Sequence, residues 1–440
     1  MRETSDVPWG WFHGRREGFV RFLGVGDCIE LSDLYVSLMR EGHDVRVFAG
    51  DPAHRGAMGG LILPVPDWRA ELPWVGGNGV ILFETVGQGA AQDVPRAQGY
   101  AVIGGSAFGD RLENDRAFGQ ALLREAGLAV APSLAFEHPE DAASWLRHNP
   151  GRFVLKFDNS AHPTFVGAHA SGLDVLFRLE RAPPGRVLLM RALDGVEIGI
   201  GAYFDGAKFL KPACVDFEHK RFFPGDLGEM TGEMGTLATF DGGERLFAAT
   251  LAKVAGAFAR AGHVGYVNLN LIVNEAGIWP LEFTCRFGYP GYAVLAPLQC
   301  DGWGDLLRRM RDRDGDGFRV TPGWSVAIVL TIPPFPHGPD GDADPADDPP
   351  IFFHDEPSDA EREHYRLMDV RSQDGQLYAR RHTGYVMVVT GTGGTVEAAR
   401  DAARRRARDV IIPDLRWRND IGARFITRDR ARLRALGWLS

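Results

Sequence analysis

Between Tyr266 and Arg286 the chain reads YVNLNLIVNEAGIWPLEFTCR. Val267, Leu269, Leu271 and Val273 alternate with Tyr266, Asn268, Asn270 and Ile272. After the turn residues NEAG, Trp279, Leu281, Phe283 and Cys285 alternate with Pro280, Glu282, Thr284 and Arg286. A period of two on both sides of a short turn predicts a hairpin with one apolar face per strand. With register kept, Asn268, Asn270, Glu282, Thr284 and Arg286 share the other face. Such a row ordinarily faces solvent. This one holds a carboxylate, two amides and an arginine, without lysine or serine, and suits a cation and an anion held side by side.

The surrounding pattern predicts several structural units, since 440 residues exceed what one core organises. RFLGVG, DVRVFAG, GVILFET and AVIGG read as strands alternating with helical stretches such as CIELSDLYVSLMREG, implying a mostly parallel sheet. Gly24, Gly26 and Gly50 fall at strand ends, where such sheets bind ligands. From about Leu112, NDRAFGQALLREAG reads as a helix closed by Gly127, EDAASWLRH as another, and GRFVLKF as a strand carrying Lys156. RVLLMRALDGVEIGIGAYFDGAKFL reads as a strand, a turn and a second hairpin at Asp205-Gly206. GERLFAATLAKVAGAFARAG predicts one amphipathic helix with Phe247, Leu251, Val254 and Phe258 on its stripe. PHGPDGDADPADDPP reads as an exposed loop, and GYVMVVTGTGGTVEAARDAARRRARDV as strand, glycine turn and helix with a solvated arginine face.

Composition narrows the partners. A net charge of -9 argues against broad binding to nucleic acid or membrane surfaces, and no apolar run reaches membrane-spanning length. Cys28, Cys214, Cys285 and Cys300 lie far apart, as expected of reduced thiols in a cytoplasmic protein. The first residues lack the apolar segment of a secretory signal.

The candidate chemistry is electrostatic. Lys156 on its apolar strand can lie over nucleotide phosphates, Glu197 after LDG can bond a ribose diol, Glu282 with oxygen neighbours can hold Mg²⁺, and Arg286 can grip a carboxylate by two parallel bonds. Together they suggest phosphoryl transfer from ATP onto a carboxylic acid, a reaction whose barrier positioned cations lower. EHKRFFPGDLGEMTGEMG, residues 218–235, places His219, Lys220 and Arg221 ahead of a loop with glycines at 225, 228, 232 and 235.

Three separated motifs resemble the phosphoribosylamine–glycine ligase family of ATP-grasp enzymes. HKRFFPGDLGEMTGEMG is similar to that family's H-K-R, G-D, P-N-T-G-G-M-G signature, and LEFTCRFGYPGY to its E-F-N-x-R-F-G-D-P-E. TGYVMVVTGTGGTVEAARDAA followed by WRNDIGARF is similar to its C-terminal pattern. The resemblance implies an α/β and α+β multidomain fold. A Rossmann-like pre-ATP-grasp domain would span 1–112, an ATP-grasp domain 113–320 with a nucleotide-covering lobe at about 125–195, and a small α+β domain 321–440. It implies ATP and Mg²⁺ (or Mn²⁺) as cofactors, small-molecule substrates (an amino acid or other carboxylate, and an amine), and a monomer or homodimer. By position it implies Lys156, Glu197 and Ser160 for ATP, and Glu282, Asn268 and Thr284 for the metal. Arg286, Lys220, Arg221 and Asp226 would be catalytic, and His219, Thr231, Gly232 and Gly288 would bind substrate.

The chain departs from the family in several places. Thr284 replaces the metal-binding asparagine, and DNSAHPTFVG replaces a glycine-rich loop with a further lysine. Met230 and Glu233 replace an asparagine and a glycine of N-T-G-G-M-G, and Tyr289 and Gly291 replace the acids of G-D-P-E. GVGDCIELSD stands where the family has G-x-G-G-R-E-H-A-L. A ligase joining a different acid and amine, or a nucleotide-binding homologue without catalysis, are the alternatives these departures keep open.

Overall fold

The computed structural model describes residues 18–157, 164–288, 291–338 and 344–439. The chain divides into two compact units. The larger comprises residues 1–122, 198–270 and 282–440, the smaller residues 123–197 and 271–281.

Within the larger unit, the N-terminal strands are β1 (Arg21–Gly26), β2 (Asp44–Ala49), β3 (Leu63–Pro64), β4 (Val80–Phe83) and β5 (Ala101–Ile103). They form a sheet ordered β3-β2-β1-β4-β5, with β1, β2, β4 and β5 in parallel register. The order reverses beside β1, which leaves a crevice at its carboxyl end. Helix α1 (Ser32–Arg40) follows β1 and is buried along much of its length. Gly24 is required there, because a Cβ would collide with the Tyr35 hydroxyl. That hydroxyl donates to Glu84 Oε1 at 2.6 Å, while Glu84 Oε2 accepts from Leu31 N at 2.6 Å.

The smaller unit contains β6 (Ser133–Phe136), β7 (Phe153–Phe157), β8 (Phe165–Val166) and β9 (Val187–Arg191). They pair antiparallel in the order β6-β9-β7-β8. Phe153 and Leu155 pack with Ala142, Leu146, Val175 and Leu189 on one face. Val154 packs with Ala131 and Met190 on the other, the face that alternation also gives to Lys156.

The central sheet holds β10 (Val196–Phe204), β11 (Cys214–Glu218), β14 (Gly235–Thr239), β15 (Gly265–Asn274), β16 (Gly277–Thr284) and β17 (Trp324–Thr331). The strands Tyr385–Gly393 and Tyr365–Leu367 complete it. Its order is β16-β15-β10-β11-β14-β17, then those two. A separate ribbon of β12 (Arg221–Phe223) and β13 (Leu227–Met230) carries the glycine-punctuated segment. The expected hairpin is present as β15 and β16, and Val267, Leu269, Leu271 and Val273 are fully buried. The opposite face is less wet than the sequence suggested, since Tyr266 and Asn270 are also buried.

Three local readings need correction. Residues 244–260 are not one helix: Glu244–Ala249 and Ala255–Arg260 flank a 3-10 turn, Leu251–Val254. Thr250 breaks the run, its backbone outside helical range and its hydroxyl donating back to Leu246 O at 2.6 Å. The helix before Gly127 begins only at Arg116, because Asp115 Oδ1 accepts from Phe118 N at 3.0 Å. β9 and β10, adjacent in sequence, enter different sheets. Beyond residue 321, β17 and the Tyr385–Gly393 strand extend the central sheet through β14 and do not start a new one. The Pro-Gly-Asp loop lies partly outside the described residues. No helix among the described residues is long and apolar enough to cross a membrane.

Candidate active site

A cavity of about 410 Å³ lies in the larger unit. Its wall is assembled from strand ends. The segment after β1 supplies Cys28, Ile29 and Glu30; β11 supplies Cys214, Asp216 and Glu218; β15 supplies Tyr266 and Asn268. Thr284, Arg286 and Gly288 come from the end of β16 and the turn after it, and Lys220, Gly232, Glu233 and Thr236 from the segment around the β12–β13 ribbon. Phe335, Met368, Asp369, Thr383 and Tyr385 close the far side.

Two sequence motifs that stand some fifty residues apart therefore share one cavity. Lys220 and Gly232 come from the first, Thr284, Arg286 and Gly288 from the second. Lys220 Nζ lies 2.9 Å from Glu218 Oε2 and 3.6 Å from Glu282 Oε1. Arg116 Nη1 donates to Glu282 Oε2 at 2.9 Å. Asn268 Nδ2 donates to Asp216 Oδ2 at 2.6 Å. β10 lets these groups in, because a Cβ on Gly199 would strike the Asp216 carboxylate and one on Gly201 the Tyr266 hydroxyl.

Arg286 sits between two carboxylates, with Nη1 3.7 Å from Glu30 Oε2 and Nε 3.7 Å from Glu113 Oε2. Burial opposes its charge, but Glu113 and Glu30 outweigh burial and hold the guanidinium above its usual pKa. Glu113 also accepts from Cys285 N at 2.7 Å. Its own carboxyl is pushed up by burial, against the pull of Arg286.

The other residues of the HKR segment serve the frame. His219 is buried; its Nε2 accepts from Gly422 N at 3.3 Å, and burial with the nearby Arg424 and Arg418 pushes it down to about 4. It is neutral at pH 7. Arg221 Nη1 donates to Gly228 O at 2.7 Å across the ribbon. Thr231 donates from its backbone N–H and its hydroxyl to Lys220 O, at 2.9 and 2.8 Å, which fixes the lysine's backbone. Asp226, at the ribbon's turn with φ of 56°, accepts from Arg418 at 3.0 Å and from Arg424 at 3.1 Å.

In the smaller unit, Lys156 is buried on β7, and Glu197 is half-buried on β10. Ser160 lies outside the described residues. Among the described residues no three His, Cys, Asp or Glu side chains gather as a metal-holding group.

Sequence reasoning missed Glu30, Glu113, Asp216 and Glu218. The last two were within reach, since Asp216 and Glu218 alternate with Val215 and Phe217 just before His219. Glu30 and Glu113 had no local signal, because only the tertiary fold brings them to Arg286.

Comparison with known proteins gives the chain's likenesses. Residues 114–292 match the family described as "Phosphoribosylglycinamide synthetase, ATP-grasp (A) domain". A phosphoribosylamine–glycine ligase of Rhizobium meliloti (strain 1021) is 28% identical over 353 residues, covering 77% of this chain and 81% of that protein. One from Mycobacterium leprae (strain TN) is 28% identical over 409 residues, covering 87% and 88%. The crystal structure of phosphoribosylamine–glycine ligase from Thermotoga maritima shares the fold with a TM-score of 0.69 at 20% identity, covering 91% of this chain and 100% of that one. A biotin carboxylase domain from Hydrogenobacter thermophilus, solved with MgADP, ADP and bicarbonate, has a TM-score of 0.60 at 11% identity, covering 90% and 91%. Residues 114–292 thus match a phosphoribosylglycinamide synthetase ATP-grasp domain, and the chain around them is similar to phosphoribosylamine–glycine ligases over most of its length and shares their fold.

Proposed function

We propose that this protein joins the carboxylate of glycine, or of a similarly small acid, to an amine through an acyl phosphate, releasing ADP and phosphate. The supporting observation is the meeting of Lys220, Gly232, Thr284, Arg286 and Gly288 in one cavity. The named relatives support glycine as the acid, since they are phosphoribosylamine–glycine ligases.

In this reading Arg286 orients the acid. Glu30 and Glu113 flank the guanidinium at 3.7 Å each and keep it charged, and the side chain lines the cavity. Lys220, placed by Thr231, offsets the negative charge that gathers as the carboxylate oxygen bonds to the γ-phosphorus. Lys156 lies over the nucleotide phosphates and Glu197 bonds the ribose. Ser160, from the segment following β7, would add a hydroxyl to the phosphates. The neutral amine then attacks the acyl carbon, the C–O bond to phosphate breaks, phosphate leaves with the bonding electrons, and the proton shed by the nitrogen goes to the departing phosphate.

A divalent ion fits the donor set in a limited way. Glu282, Thr284 and Asn268 offer hard oxygen donors, and Mg²⁺ or Mn²⁺ commonly takes only one or two carboxylates, drawing its remaining ligands from phosphates and water. When bound, the ion neutralises phosphate charge. Glu282 must loosen its hold on Arg116 to serve as its ligand. We also place the protein in the cytoplasm as a monomer or homodimer.

The acyl phosphate has a direct test. With glycine labelled by ¹⁸O in its carboxylate, one label should appear in the released phosphate. Turnover that leaves all label in the amide and the unreacted acid would contradict this route.

A further inference from the structure

Glu233 follows Gly232 in the segment between the β12–β13 ribbon and β14. Its side chain lines the cavity and is only 6% exposed. Its Oε1 has no hydrogen-bond partner. A buried carboxylate without a partner is costly, so its surroundings either protonate it or supply a cation. The nearby protein cation is Lys220, already held by Glu218 and Glu282. Burial raises the Glu233 carboxyl well above its usual pKa, Glu218 and Asp216 add to the rise, and Lys220 only partly opposes it. Asp369 also faces this space, and Tyr385 approaches from the opposite side, its hydroxyl donating to Glu233 O at 2.9 Å.

The charge of the whole wall points the same way. Glu30, Asp216, Glu218, Glu233 and Asp369 line the cavity, against Lys220 and Arg286 as the permanent cations among its described residues. Both cations are paired with carboxylates. With Lys220 and Arg286 given to the acid and its phosphorylation, a phosphate on the amine would meet the remaining carboxylates, and an ammonium ion would be favoured there.

We infer that this cavity takes the amine co-substrate as an unphosphorylated primary ammonium ion, held by the Glu233 carboxylate with Glu218 beside it, and that the ion gives one proton to Glu233 before its nitrogen attacks the acyl carbon. The inference rests on the ligase reading and narrows its amine. Tyr266, Phe335 and Tyr385 give the ion's carbon skeleton an apolar wall. Glu233 is then a specificity residue.

The test compares amines at fixed ATP and glycine: phosphoribosylamine, ribosylamine, ethanolamine and 1,3-diaminopropane, each with the wild type and with Glu233→Gln. Expected are a kcat/KM for at least one unphosphorylated amine above that for phosphoribosylamine, and a KM for that amine at least tenfold higher in Glu233→Gln with the KM for ATP unchanged. A preference for phosphoribosylamine, or an unaltered amine KM in the variant, overturns the inference. If no pair stimulates ADP release, the ligase reading fails, and the cavity is then probed by binding alone. Ethylammonium chloride should raise the Tm of the wild type above the effect of equal sodium chloride, and Glu233→Gln should lose that rise. Equal behaviour of the two proteins overturns the inference, and their circular dichroism spectra verify that both are folded.

Discussion

Arg116 Nη1 donates to Glu282 Oε2 at 2.9 Å, so the carboxylate proposed for the metal is held by a protein cation. Both side chains are about one-third exposed, and a pair of that kind is worth at most about 1 kcal/mol. It is weak enough to yield to a divalent ion bound with ATP. Arg116→Gln should therefore lower the Mg²⁺ concentration needed for half-maximal rate by about two- to fivefold. Glu282→Ala should reduce kcat by about 10²-fold or more while the circular dichroism spectrum stays unchanged. A magnesium titration of ADP release checks both; wild-type turnover in Glu282→Ala removes that residue from the metal.

Lys156 is buried on the face of β7 that also carries Val154. If it meets nucleotide phosphate, Lys156→Met forfeits a charge-assisted hydrogen bond of about 1.5–3 kcal/mol. The KM for ATP should rise about 10- to 100-fold, with the KM for glycine little altered. An unchanged ATP dependence would leave the lysine a structural role only.

His219 predicts a limb of acid instability. Its imidazole, lowered from 6.5 to about 4 by burial and then by Arg424 and Arg418, binds a proton less readily in the folded protein than in the unfolded chain. The unfolded chain takes up the extra proton as pH falls. The stability His219 supports is therefore complete above about pH 6.5 and is lost between there and about pH 4, amounting to about 3 kcal/mol. Urea midpoints measured across that range should fall with pH, and His219→Gln should flatten the fall.

Arg418 ties the ribbon to the C-terminal segment. Its side chain is 1% exposed and pairs with Asp226 at 3.0 Å and Asp420 at 2.8 Å, and it also donates to Arg221 O at 2.8 Å. Arg418→Ala removes one partner from a buried network, a loss of about 3 kcal/mol. Urea unfolding should show the loss directly. Because Asp226 also holds Arg424, the ribbon next to Lys220 should lose order, and the KM for the acid should rise with it.

These residues show what the sequence could and could not convey. The β15–β16 hairpin was legible because side chains alternate with a period of two, and one register slip would expose Val267 and Leu269 to water. The parallel sheet was legible because apolar strands and helices alternate along residues 21–103. The break at Thr250 was hidden, since the apolar stripe from Phe247 to Phe258 continues through it and a single backbone outlier leaves no periodic trace. His219, Lys220 and Arg221 looked like one cationic cluster. Tertiary packing divides them, burying a neutral imidazole, aiming the ammonium at the cavity and placing the guanidinium across the ribbon. The carboxylates around Arg286 lie at residues 30 and 113, and only the folded chain brings them together.

A carboxylate–amine ligase couples ATP cleavage to the presence of two co-substrates. ADP release should be measured with Mg²⁺ and ATP alone, with glycine, with each amine, and with both together. The account predicts release near background until an acid and an amine are both present, followed by an increase of at least tenfold. ADP release that ignores both, or its absence with every pair while ATP still binds, would contradict a carboxylate–amine ligase.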